Sequence, residues 1–218
     1  FLDAHRGDYA QGSANDVRAW QKLLIDNGYA ARTIPREYGG YGAEPDILKG
    51  RIIAEEFIAA GAPRGMAGQG ISMLVPTLLE VGSEEQKTRW IGPTLRGEIM
   101  WCQGYSEPNA GSDLASLRTR ADRDGDDYVV NGQKIWTTLG PGADWMFALV
   151  RTSKAEGMAK QRGITFLLIN LKTPGVKVRP IVNLKGEGEF SEVLFDNVRV
   201  PVSNVVGRID DGWNVANT

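Results

Sequence analysis

Trp101-Cys102-Gln103-Gly104-Tyr105-Ser106-Glu107-Pro108-Asn109-Ala110-Gly111-Ser112-Asp113 is the stretch where the chain changes character. Before it, apolar residues recur with a helical period. From about residue 98 onward they come in short runs of Val, Ile, Phe and Trp separated by turn residues. The stretch opens as a strand over 99–105 and stops at Ser106, where a loop of Pro, Asn, Gly and Ser takes over. Such a loop can set backbone N–H groups against an anion, because Gly111 permits close approach and Ser112 adds a donor. The spacing is neither GxGxxG nor the Walker pattern, and neither occurs in the chain. On spacing alone, a plain turn between strands accounts for the same residues.

Working backward, residues 1–97 read as helical. Val17, Trp20, Leu23 and Leu24 share a helix face that Asn27-Gly28 terminates. Residues 33–42 form a glycine-rich loop, and Pro45 suits the first turn of a helix whose buried stripe is Ile47, Leu48, Ile52, Ile53, Phe57 and Ile58. A further apolar helix is expected over 70–81, kinked by Pro76, and Ser83-Glu84-Glu85-Gln86 is a capping box opening a helix that ends near Arg96-Gly97. Working forward, strands are expected over 99–105, 116–121, 128–135, 145–151, 163–170, 176–181 and 189–195, with turn pairs at Asp124-Gly125 and Asn131-Gly132. So many short strands suggest an antiparallel barrel or sandwich. The expected fold class is therefore α+β: an all-α helical domain over 1–97, a β domain over 98–207, and the start of another helical domain over 208–218. Phe1 already reads as helix and the final residues begin one without a stop signal, so the sequence is expected to be a piece of a longer protein.

Composition closes off several function classes. Lys+Arg 25 against Asp+Glu 27 leaves a net charge of −2, no field for nucleic acid or an anionic membrane. One cysteine, Cys102, cannot form an internal disulfide, and one histidine, His5, cannot build a zinc site. The same scarcity argues against Ser-His-Asp and Cys-His triads. No metal site and no membrane span are expected, and a reducing cytoplasm is the expected setting. Cys102 reads as a small buried residue, Lys185-Gly186-Glu187-Gly188-Glu189 as a hairpin turn, and Arg118, Arg120 and Arg123 as a solvated strand face.

Ser106-Glu107-Pro108-Asn109-Ala110-Gly111-Ser112-Asp113 resembles the TEP-GAGSD signature of the acyl-CoA dehydrogenases. Its companion follows about 25 residues later, where Asn131-Gly132-Gln133-Lys134-Ile135-Trp136-Thr137-Thr138 is similar to that family's NG-K-WITN strand. Pro35-Arg36-Glu37-Tyr38-Gly39-Gly40-Tyr41-Gly42, the run from Glu192 to Pro201, and Gly212-Trp213 resemble three further family segments in the same order. The resemblance implies an FAD site in which Gln103, Tyr105 and Ser106 face the flavin ring and Gly111 and Ser112 face the phosphates. It also implies that Ser112 lies close to the acyl-CoA substrate, Trp136 covers one flavin face, and the Thr138 hydroxyl serves the hydride-accepting nitrogen. Thr137 belongs to the same cofactor-facing segment and stands where isoleucine is common.

The implied reaction is α,β-dehydrogenation of an acyl-CoA thioester, with reoxidation by an electron-transferring flavoprotein and a homo- or hetero-oligomeric assembly. The family's catalytic Glu lies in a third domain, so no catalytic residue is assigned in this chain; Glu107, Glu187 and Glu189 do not match it. Gln103 in place of an aromatic, Tyr105 in place of a small apolar residue and Asn109 in place of glycine depart from the family pattern. They keep two alternatives open, a catalytically silent subunit without FAD and an acyl-CoA oxidase. The Trp-Cys-Gln-Gly-Tyr-Ser-Glu-Pro wording resembles a bacterial branch that includes enzymes of dicarboxylic or steroid side-chain CoA esters.

Overall fold

Helix α1 (Arg6–Tyr9) follows a short 3₁₀ turn, and α2 (Ala14–Asp26) and α3 (Ile47–Ala59) complete the first part of the chain. The computed structural model describes residues 1–9, 14–153, 157 and 159–218, and for residues 9 and 14–16 the backbone alone. The chain divides into two compact units: Phe1–Gly68 with Lys87–Glu98, and Gln69–Gln86 with Ile99–Thr218.

In the first unit, Trp20 and Leu24 of α2 pack with Phe57 of α3 and Ala62, flanked by Phe1, Leu2 and Tyr29. The polar groups that this core encloses are satisfied. Buried Gln21 donates to the Leu95 carbonyl at 2.7 Å and accepts from the Met66 N–H at 2.7 Å, and the Trp20 indole donates to Pro63 at 2.9 Å. The α2 C-terminus closes as read, with Gly28 at φ +75° and the Tyr29 N–H on the Leu24 carbonyl at 2.8 Å.

Helix α3 departs from the sequence reading in two ways. Its N-cap is Asp46, whose carboxylate accepts from the Lys49 N–H at 2.9 Å, so Pro45 precedes the helix instead of lying in its first turn. Its six apolar residues do not form a buried stripe: Ile47, Leu48, Ile52 and Ile58 are exposed at 92, 68, 50 and 71%. At about 100° per residue these positions spread around the whole helix, and Ile53 and Phe57, one turn apart, are the pair turned to the core.

In the second unit, helix α4 (Val75–Val81) is preceded by a π-helical turn, Gly70–Leu74. The expected helix over 70–81 is therefore present, and Pro76 sits in the first turn of its α-helical part instead of kinking its middle. Helix α5 (Glu84–Leu95) opens on the capping box that the sequence indicates: the Gln86 N–H donates to Ser83 Oγ and the Ser83 N–H to Gln86 Oε1, both at 3.2 Å. The Gln86 amide also donates to the carbonyls of Ser203 and Val205 at 2.8 and 2.7 Å.

The sheet comprises β1 (Trp101–Gly104), β2 (Arg120–Asp124), β3 (Asp127–Thr138), β4 (Trp145–Arg151), β5 (Ile164–Asn170), β6 (Val176–Ile181), β7 (Phe190–Pro201) and β8 (Val205–Val206). Its order is β6-β7-β3-β2-β4-β5-β8, with β1 pairing β4. Pairing is antiparallel except β1 with β4 and the single contact of β2 with β4, so the α+β reading with a mostly antiparallel β region holds. Inward residues of β2 to β7, among them Val130, Ala148, Leu167, Ile169, Val193 and Val198, make one continuous core. A final helix, α6 (Gly212–Val215), follows β8.

The strands read over 128–135 and 189–195 run on to Thr138 and Pro201, and two further expectations change. The strand read over 116–121 is a 3₁₀ turn, Leu114–Ser116, and then β2; Ser116 binds the Asp113 carbonyl through both N–H and hydroxyl, at 3.0 and 2.7 Å. Asn131-Gly132 is no turn but lies inside β3 opposite a bulge of β7: Val130 and Gly132 pair with Val198 and Phe195, so the extra residue is at Asp196-Asn197 of β7, where Asn197 is left-handed at φ +50°. Gly132 sits at φ +149°, and a Cβ there would lie 2.6 Å from the Thr119 backbone. Asp124-Gly125 is a turn as read, with Gly125 at φ +62° between β2 and β3. Arg118, Arg120 and Arg123 are exposed as expected, Arg120 pairing with Asp122.

Candidate functional site

Strand β1 sets Gln103 beside Phe147 and Gly104 beside Ala148, and the chain then leaves the sheet at Tyr105. The Tyr105 ring meets Phe147 and Phe166 edge-on at 6.0 and 6.3 Å, and those two rings stack at 5.8 Å. Burial pushes its hydroxyl up to about 12, against a hydrogen bond from Gln103 that works the other way. Residues 107–110 close a tight turn: the N–H groups of Glu107 and Ala110 each donate to the other's carbonyl at 3.0 Å. Beyond it, Gly111 and Ser112 are exposed, and a Cβ on Gly111 would meet nothing within 4 Å. Open space above these groups is what a loop needs to receive a ligand. Asp113 is turned away into an ion pair with Lys160 at 2.7 Å.

The second segment is the end of β3. Its register against β7 slips between Lys134 and Thr137, and Trp136 sits in the slip at φ +59°. A bulky residue in the left-handed region is a backbone outlier, and such outliers concentrate at functional sites. Trp136 is also 59% exposed, its ring meeting Phe190 edge-on at 6.3 Å. Leu139 is left-handed and exposed as well, at φ +59°. Between them, Thr138 is half-buried and Thr137 turns inward. The Thr137 carbonyl accepts from Ser191 Oγ at 3.0 Å, while its own hydroxyl is buried without a partner. Of the residues from 136 to 139, Trp136, Thr138 and Leu139 thus have side-chain surface free to meet a ligand, and Thr137 does not.

The two segments are joined. The Ile135 N–H donates to the Ser106 carbonyl at 3.0 Å, and beneath them lies an ion pair that sequence reasoning passed over. Lys134, with no exposed surface, donates from Nζ to Glu107 Oε1 at 2.8 Å and to the Tyr105 carbonyl at 3.1 Å. The Glu107 carboxylate also accepts from the N–H groups of Arg118 and Thr119, at 2.6 and 2.9 Å. Burial pushes the Glu107 carboxyl up, but the charge and hydrogen bond of Lys134 outweigh it and leave it below its usual 4.5. Burial likewise pulls Lys134 down to about 8, with Glu107 holding it up in part. The signal was available: Lys134 is a charged residue on the inward phase that Tyr128 and Val130 begin.

Cys102 is fully buried, and burial drives its thiol up to about 12, which agrees with an inert packing role. The hairpin-turn reading of 185–189 also holds, with Asn183 Oδ1 accepting from the N–H groups of Lys185 and Glu187. Among the described residues, no group of His, Cys, Asp and Glu could hold a metal ion, and no helix is long and apolar enough to cross a membrane.

Comparison with known proteins matches two successive stretches of the chain. A family model described as acyl-CoA dehydrogenase, N-terminal domain, matches residues 3–98, and one described as acyl-CoA dehydrogenase, middle domain, matches 102–198. Acyl-CoA dehydrogenase IpdE1 of Mycobacterium tuberculosis is 44% identical over 202 residues, 91% of this chain and 51% of that protein. Among solved structures, the ChsE4-ChsE5 complex from Mycobacterium tuberculosis has a TM-score of 0.76 at 35% identity, covering 100% of this chain and 54% of its match. The Tcur3481-Tcur3483 steroid ACAD reaches 0.77 at 35% identity over 99% of this chain and 54% of its match. The chain thus spans about half the length of the relatives it matches. The family is one of flavoprotein oxidoreductases, typically carrying FAD. With both domains matched in order along nearly the whole sequence, this chain belongs to the acyl-CoA dehydrogenase family.

Proposed function

We propose that this chain supplies FAD- and acyl-CoA-binding surface to an acyl-CoA dehydrogenase that introduces an α,β double bond into a CoA thioester. The observation that carries the reading is Trp136, exposed and left-handed on a bulge that two hydrogen-bonded segments support. The residues fit a flavin: an aromatic face at Trp136, a hydroxyl at Thr138, and an open loop at Gly111 and Ser112. When bound, the flavin accepts the hydride from the substrate's β-carbon. Trp136 would cover one ring face, Thr138 would hydrogen-bond the ring edge, and Gly111 and Ser112 would hold phosphate, with Ser112 also beside the substrate. Gln103, Tyr105 and Ser106 would border the ring, Tyr105 mainly through its backbone because its ring is enclosed. Thr137 would act through its backbone too, since its side chain faces inward.

No carboxylate of this chain is assigned as the α-proton base. Glu107 is held by Lys134, and Glu187 and Glu189 lie exposed in a turn. The domain reading that goes with this function takes 1–97 as the helical domain, 98–207 as the middle domain and 208–218 as the start of a further helical region. A steroid side-chain CoA ester is the substrate class we assign, supported by the steroid named for the Tcur3481-Tcur3483 relative. A hetero-oligomer is supported by the ChsE4-ChsE5 complex, and reoxidation by an electron-transferring flavoprotein goes with the dehydrogenase reading. The inert, buried Cys102 suits a reducing cytoplasm.

A second reading, a subunit that keeps the fold without FAD, is favoured by Tyr105 filling the aromatic cage where the family has a small residue. The test is the visible spectrum of the protein purified at the full length its gene encodes, after incubation with FAD, followed by addition of acyl-CoA. A bound flavin that bleaches without oxygen supports the dehydrogenase. A colourless protein overturns it in favour of the silent subunit, and oxygen consumption on adding acyl-CoA would overturn it in favour of an oxidase.

A further inference from the structure

We propose that the Glu107–Lys134 ion pair is a positioning device: it locks residues 105–112 and 134–138 into one arrangement and keeps Trp136 in its left-handed conformation. The proposal rests on reading those segments as cofactor-facing.

The geometry is a four-way anchor in which Lys134 is wholly buried and Glu107 nearly so. Lys134 Nζ reaches the Tyr105 carbonyl and Glu107 Oε1, and the two Glu107 oxygens take the N–H groups of Arg118 and Thr119. Three separate stretches of backbone, at 105–107, 118–119 and 134, therefore meet at one pair of charges. Arg151 extends the anchor, donating to the carbonyls of Ala115 and Leu117 from one nitrogen and of Lys160 and Arg162 from the other. Trp136 follows Lys134 by two residues, across the register slip. On its other side, Thr137 is pinned by Ser191 Oγ. A residue held in a sparsely populated conformation persists when its surroundings over-determine it, and here both flanks are buried and bonded.

Stability alone does not account for the pair. A buried ion pair is commonly replaceable by apolar residues of similar volume at little or no cost, whereas removing one partner strands a buried charge. What apolar residues cannot reproduce is the directional link from Nζ to the Tyr105 carbonyl and from the carboxylate to two N–H groups. The pair is thus suited to fixing one arrangement of the site, and the substituted double variant separates that role from packing.

The test uses cofactor-free and FAD-loaded protein of the Glu107→Leu/Lys134→Met double variant, with Glu107→Asp as a second variant that keeps the charge and shortens its reach. In cofactor-free protein, the indole resonance of Trp136, identified among the six tryptophans with Trp136→Phe, reports the bulge, and exchange of the Ile135 amide reports the link to Ser106. We expect both variants to shift the Trp136 indole, to speed Ile135 exchange and to raise the FAD dissociation constant about tenfold, the scale set by outer support residues of binding sites. A double variant that folds with the Trp136 resonance and Ile135 protection unchanged overturns the proposal. If the double variant does not fold, an unchanged Glu107→Asp overturns it instead. Wild-type protein that takes up no FAD would sink the functional reading and leave the cofactor-free readouts to decide this one.

Discussion

Trp136 carries two opposing quantities that can be weighed. Its left-handed backbone costs about 1–2 kcal/mol relative to the ordinary region. The edge-on contact with Phe190 returns about 0.5–1.5 kcal/mol. Replacing it with glycine relieves the first, forfeits the second and adds about 0.5–1 kcal/mol of unfolded-chain entropy. We therefore expect Trp136→Gly to leave stability within about 1 kcal/mol of wild type, read by urea denaturation, while flavin affinity falls about tenfold or more. A variant as tight for flavin as wild type would remove Trp136 from the site.

The buried pair gives a pH dependence whose sign follows from the two shifts. Glu107 in the folded protein lies below its usual 4.5, so the stability it contributes is present above that value and is lost as pH falls through its folded value. Lys134 acts in the other window. Its folded value of about 8 lies below its usual 10.5, so between the two the unfolded chain holds a proton that the folded chain has released, and its contribution to stability rises with pH. Thermal midpoints measured across pH should show both limbs in wild type and neither in the Glu107→Leu/Lys134→Met variant. Glu107→Gln alone should cost about 3–5 kcal/mol, because it leaves Lys134 charged and unpaired.

At the scale of elements, β3 shows what a sequence pattern carries and what it hides. The continuous apolar run of β4 and the nearly continuous one of β5 mark those strands plainly, and the observed bounds of β4 match the reading. In β3 the extra residue before Thr137 moves the inward phase from Lys134 to Thr137, and in β7 the bulge at Asp196-Asn197 does the same, which no period of two reveals. Asn131-Gly132 carries the letters of a turn, but Gly132 is needed because the Thr119 backbone passes 2.6 Å from where its Cβ would be. Gly132→Val should accordingly destabilise the protein by about 2–4 kcal/mol, measured by urea denaturation, through both the clash and the φ of +149°. Helix α3 misleads for a different reason: its six apolar residues circle the helix, and only Ile53 and Phe57 share the face turned to the core. The motif residues of the site were legible in the sequence. The ion pair beneath them was not, because Glu107 and Lys134 are separated by 27 residues and meet only through the fold.

At the scale of the whole molecule, each unit is organised by buried polar anchors as much as by apolar packing. Gln21 ties α2 to Leu95 and Met66 in the first unit, and Gln86 ties the start of α5 to the β8 segment in the second. Such anchors make local opening costly, since each releases a buried donor without a substitute. The single cysteine turns this into a measurement. Cys102 lies in β1 between Trp101 and Gln103, with no exposed surface and a thiol that stays protonated at neutral pH. A thiol-modifying reagent can reach it only when β1 comes away from β4. At reagent concentrations high enough to outpace reclosing, its labelling rate in native buffer should therefore equal the frequency of that opening, slow further when a ligand occupies the adjoining loop, and serve as a built-in clock for the site without any engineered probe.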